Sequence, residues 1–175
     1  MNKLVAFFAA LLITQAAFAQ SAEVTTDASG NKVMKGFITR QQLAADSAFT
    51  WFAKNAKDYT PEPTALQALK AAKDSIHILA FGGTWCDDTK YILPKFYALA
   101  DAAGLPADHV TLLGVDRNKK TVQHLSEAFN VTLVPTFIVL KNGKEVGRVV
   151  EYGKKGMYDQ ELGEIIAGAS KAKGK

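Results

Sequence analysis

Two short apolar runs, SIHILAFG at residues 75–82 and VTLLGV at 110–115, constrain this chain more than any other feature. Neither alternates between apolar and polar positions. A strand of that kind is covered on both faces, which predicts an inner place in a sheet clad by helices. Between the two runs, residues 87–103 repeat apolar side chains at helical spacing through Ile92, Leu93, Phe96, Leu99 and Ala100. Pro94 lies inside that pattern and Gly104-Leu105-Pro106 ends it. A strand, a helix and a second strand in this order predict a crossover and parallel pairing.

The remaining segments extend the same architecture. Residues 121–129 predict a short helix through Leu125 and Phe129, and 136–140 and 145–152 predict strands joined by KNGK. Asn142-Gly143 between two such runs is a strong hairpin signal. A last helix is expected over 158–166 through Leu162, Ile165 and Ile166. Upstream, residues 39–59 predict a helix with Thr39 as its N-cap, and YTPEP leads into a second helix at 64–73. The fold class expected from this order is a three-layer α/β/α sandwich with a mixed central sheet, a C-terminal β-hairpin and extra N-terminal helices.

The first twenty residues, MNKLVAFFAALLITQAAFAQ, follow the layout of a secretory signal peptide cleaved after Ala19. Their apolar segment is shorter than the roughly 20 residues needed to span a bilayer. The expected organisation is a signal peptide at 1–19, a flexible leader at 20–33, a helical extension at 34–74, the main domain at 75–168 and a disordered basic tail at 169–175. Such a protein is exported, to the periplasm of a Gram-negative bacterium or beyond the cell. It has no transmembrane segment in its mature form. The net charge of +4 is spread over solvated lysines with no aromatic or glycine pattern among them, which speaks against a nucleic-acid partner.

An exported domain commonly uses disulfides as staples, but this one has a single cysteine. Cys86 is therefore buried and inert, reactive toward a partner, or the bridge of a dimer. It lies in GGTWCDDTK, where a central strand ends and a helix begins. The free N–H groups there favour the thiolate, while Asp87 and Asp88 oppose it, so a moderately reactive thiol is expected. Thr89, one helical turn on, is positioned to hydrogen-bond the sulfur. Trp85 shields it or offers a contact surface. His77, His109 and His124 are dispersed, so no metal site is expected, and no glycine-rich phosphate loop or other cofactor signal is present.

Trp85-Cys86, Pro94 in the following helix, Val134-Pro135-Thr136 before the hairpin and Asn142-Gly143 at its turn together resemble the thioredoxin superfamily. The resemblance implies a thioredoxin-like fold over roughly 75–166. It places Cys86 at the attacking cysteine, Thr89 at the resolving one, and Asp87 and Asp88 at the two variable positions of a monothiol C-x-x-T motif. It also implies a cis peptide at Pro135, with Val134 and Thr136 lining a substrate groove. Ala80 and Leu112 stand where the family often has a buried acid and a buried lysine. A chain with these losses can attack a disulfide but needs an external thiol for release. The implied activity is monothiol exchange or disulfide isomerisation on thiol- or disulfide-containing exported proteins, recycled by a small thiol or a partner reductase. The alternatives are a non-catalytic binding or chaperone-like module, and a covalent partner or dimer through Cys86.

Overall fold

The computed structural model describes residues 22–171, so the expected signal peptide and the last four residues lie outside it. Six strands form one sheet: β1 (Glu23–Thr26), β2 (Lys32–Ile38), β3 (Ile76–Gly82), β4 (Val110–Gly114), β5 (Thr136–Lys141) and β6 (Lys144–Val150), in the spatial order β1-β2-β4-β3-β5-β6. The two unalternated runs are central neighbours and run parallel. The connection from β4 to β5 also crosses the sheet, but β5 lies antiparallel to β3, so only the first crossover yields a parallel pair.

Among the described residues, six α-helices complete the fold: α1 (Arg40–Ala45), α2 (Trp51–Ala56), α3 (Pro63–Ala72), α4 (Asp87–Ala103), α5 (Leu125–Ala128) and α6 (Tyr158–Lys171). Side chains from α1, α2, α3, α4 and α6 share one apolar core with the sheet, centred on Phe96 and Phe137 at a ring separation of 4.7 Å. The opposite face holds a smaller core of Leu79, Phe81, Leu113, Val131, Val134 and Ile138, to which α5 and its flanks contribute. The sandwich has three layers, one thick and one thin.

Local chemistry explains most boundaries. The Thr39 hydroxyl accepts from Gln42 N–H while the Gln42 side chain accepts from Thr39 N–H, a reciprocal cap that starts α1. The helix expected over 39–59 breaks at Asp46, whose carboxylate accepts from Ala48 N–H at 2.9 Å and begins a separate 3-10 turn. A short acid that bonds its own backbone competes with helix continuation. At the other end of the chain, Asn142 and Gly143 both have positive φ, as the tight turn between β5 and β6 requires.

The leader expected at 20–33 is corrected by the structure. Residues Glu23–Thr26 pair with Lys32–Lys35 as an antiparallel hairpin, and Gly36–Ile38 add β2 to the edge of β4. Small polar residues form a strand here because an existing sheet edge supplies the partner, which composition does not reveal. Helix α6 likewise runs through 169–171, residues expected to belong to a tail.

Candidate functional site

The GGTWC loop joins β3 to α4, and each of its residues is tied down. Cys86 N–H donates to Gly83 C=O at 2.9 Å, and Cys86 C=O accepts from Lys90 N–H at 2.9 Å as the N-cap position of α4. The buried Thr84 hydroxyl accepts from Met34 N–H at 3.1 Å and donates to Lys32 C=O at 2.8 Å. Trp85 Nε1 donates to Val115 C=O at 3.0 Å. The indole then lies so close to Gly83 that a Cβ at that position would sit 2.7 Å from Cε2. Only glycine fits beneath the ring.

The Cys86 thiol is half-buried and donates to Val134 C=O at 3.3 Å. The Val134-Pro135 peptide is cis, as the resemblance implies. Around it, the Thr136 hydroxyl donates to Leu133 C=O at 2.7 Å and Glu151 N–H donates to Pro135 C=O at 2.7 Å. Two segments therefore converge on the 133–136 loop: the 83–86 loop through the Cys86 sulfur, and the turn after β6 through Glu151. Cys86, Trp85, Val134, Pro135 and Thr136 come together at one sheet end, where open α/β sheets gather their functional loops.

The bond expected between Thr89 and Cys86 is not formed. Thr89 is buried, and its hydroxyl oxygen accepts from Gly83 N–H at 3.2 Å instead. Asp87 points outward and pairs with Lys90 at 3.0 Å, so it acts on its own helix. Asp88 faces Tyr152. Ala80 and Leu112 are register partners on β3 and β4 and are both buried, so the interior carries an apolar pair where the family often has ions. Among the described residues, no group of three or more His, Cys, Asp or Glu side chains is arranged to hold a metal, although His77 and His109 do meet at 4.1 Å.

Several neighbours of the site are invisible in the motif itself. Tyr152 and Tyr91 are exposed, with ring centroids 6.1 Å apart, and Leu133 is exposed on the loop before Pro135. Arg117 places its guanidinium 4.7 Å from the Trp85 ring. These residues come from the end of β6, from α4 and from the loops after β4 and α5. The one local signal was an aromatic residue immediately before Gly153, and spacing alone could not aim it at Cys86.

Burial pushes the Tyr152 phenol up, and the hydrogen bond and charge of Asp88, followed by Tyr91 and Cys86, push it further, to about 12. A nearby carboxylate opposes formation of phenolate. In an ultraviolet titration, the step that Tyr152→Phe removes should therefore lie near 12, against an ordinary value of 10.0. Asp88→Asn should bring it part of the way down, because burial remains. A Tyr152 step that Asp88→Asn leaves in place would separate the two side chains.

A family model described as Thioredoxin matches residues 63–162. Thioredoxin H2-2 of Oryza sativa subsp. japonica is 34% identical over 106 residues, which covers 59% of this chain and 72% of the relative. A thioredoxin of Echinococcus granulosus is 34% identical over 92 residues, covering 51% and 80%. Among solved structures, an HIV epitope-scaffold matches with a TM-score of 0.54 at 14% identity over 78% of this chain and 93% of that one, a likeness of fold alone.

Proposed function

Because this chain belongs to the thioredoxin family, we propose that it is an exported monothiol protein that exchanges disulfides through Cys86. The observation that carries this reading is the half-buried thiol at the start of α4, bonded to the Val134 carbonyl on the loop before β5. A half-buried sulfur at a sheet end that also exposes the side chains of Leu133 and Tyr152 is placed to receive a substrate chain. In the first step, the Cys86 thiolate attacks one sulfur of a substrate disulfide, forms a mixed disulfide and expels the other sulfur as thiolate. Release requires an external thiol to attack that mixed disulfide, because the chain holds no second cysteine. The leaving thiolate regains its proton from solvent, as Ala80 and Leu112 offer none.

The clients in this reading are thiol- or disulfide-containing exported proteins, and the recycling partner is a small thiol or a reductase. The pattern of residues 1–19 supports export, with the periplasm of a Gram-negative bacterium as the compartment. Among the described residues, no helix is long and apolar enough to cross a membrane.

The test is trapping. The full chain is expressed in an oxidising bacterial envelope, quenched with acid and resolved without reductant. Mixed disulfides are expected with the natural protein and none with Cys86→Ser. If no such species form and the thiol ignores a model disulfide, exchange is excluded. The missing second thiol favours a second reading, a binding module that keeps the groove without turnover. Partner capture that persists in Cys86→Ser would select it.

A further inference from the structure

The β1–β2 hairpin, which composition reads as a leader, reaches the active-site loop. Strand β2 pairs with β4 only through Gly36–Ile38, so Lys32 and Met34 lie past that pairing, where their backbone groups bond the Thr84 hydroxyl. At the turn of the hairpin, Asp27 accepts from Ser29 N–H and Asn31 N–H, both at 2.9 Å, and its side chain is only 8% exposed. The same carboxylate accepts from Arg117 Nε at 2.8 Å and Nη2 at 2.6 Å. Arg117 is the residue stacked on Trp85. A second ion pair, Lys35 with Asp116 at 3.1 Å, ties the same loop to β2.

The indole is thus held at its edge by Val115 C=O and on its face by Arg117, and Arg117 is held by Asp27. A guanidinium fixed by two bonds to one carboxylate keeps its plane better than a free one. Burial pushes the Asp27 carboxyl up, but bonds from Asn31, Arg117 and Ser29 outweigh it and hold it at about 2. The pair therefore stays ionised through neutral and mildly acidic solution.

We propose that the β1–β2 hairpin is a working part of the substrate groove, in which Asp27 positions Arg117 over Trp85 and Thr84 anchors the loop that carries Cys86. Asp27 and Arg117 are positioning residues: they act on the wall of the groove and leave the sulfur chemistry alone. This inference rests on the exchange reading for its consequence in recognition, but not for the hold on Trp85 itself.

The experiment uses the full chain with Trp51→Phe, which leaves Trp85 as the one tryptophan. Stacking at an exposed site predicts that Asp27→Asn and Arg117→Ala raise the population of displaced indole, and the KM for a peptide disulfide, by about two- to fivefold. Acrylamide quenching of Trp85 reads the first effect and exchange kinetics read the second. The rate with a small symmetrical disulfide and the kcat for the peptide should not change, and Asp27→Glu should restore quenching. Unchanged quenching in both variants at matched Tm would overturn the proposal, as would an equal slowing with the small disulfide. Quenching needs no reactive thiol, so an inert Cys86 would defeat the exchange reading and leave this test intact.

Discussion

Under the proposed exchange reading, in which the natural protein stops at a mixed disulfide, Thr89→Cys is expected to yield one that completes the reaction. Cys86 is the N-cap of α4 and Thr89 lies three residues on, where a helix turn brings side chains together. With an aryl disulfide in excess, the natural chain should release one equivalent of aryl thiolate and keep the other half as an adduct on Cys86. The variant should release two equivalents and carry no adduct, because the new thiol attacks the mixed disulfide and closes an internal one. An internal thiol acting at only about 1 M outcompetes about 1 mM external thiol roughly 1000-fold, and well-oriented groups exceed 1 M. The substitution removes the hydroxyl that accepts from Gly83 N–H, at a cost of about 1 kcal/mol. One equivalent released with the adduct retained would show that the two positions do not meet. The same result would mean that the family's release step is lost from the backbone as well as from the side chain.

Gly114→Ala is expected to be the most damaging single methyl in the fold. Gly114 pairs with Gly36 on β2 and with Gly82 on β3, and a Cβ there would lie 2.1 Å from Met34 O and 2.4 Å from Ile38 Cδ1. The nearer atom is backbone, which cannot rotate aside as a side-chain end can. The methyl can be admitted only if β2 moves off β4, and that separates the N-terminal hairpin from the sheet. Overpacking of this kind costs about 3 kcal/mol or more, a drop in Tm of about 6–12 °C for a chain of this size. The drop should come with increased protease cutting in residues 22–38, since these lose their partner strand. A Tm within about 1 °C of the natural protein would mean that β2 is held by something other than this close approach.

Much of the fold was legible because its signals are local. Helix α4 begins at Asp87 behind its Cys86 cap, with two acids in its first turn, and the hairpin of β5 and β6 turns on Asn142-Gly143. The two unalternated strands are central and parallel, as burial on both faces demands. The cis peptide at Pro135 came from resemblance, since no spacing rule reports an isomer. The helix drawn over 39–59 failed at Asp46, because periodicity counts apolar positions and overlooks a carboxylate that caps the next turn.

By itself, the sequence determined what short-range chemistry decides: caps, turns, the strand pattern, and a lone thiol at the start of a helix. The tertiary structure decided what meets that thiol. Residues 32–38 became a strand because β4 offered an open edge and Gly114 offered room, and residues 23–26 then paired with them. Tyr152 reached Asp88, and Asp27 reached Trp85 through Arg117, across separations at which propensity and period carry no information. Such contacts form only once distant elements have packed, so the lone thiol could be named from the chain, while the walls around it required the fold.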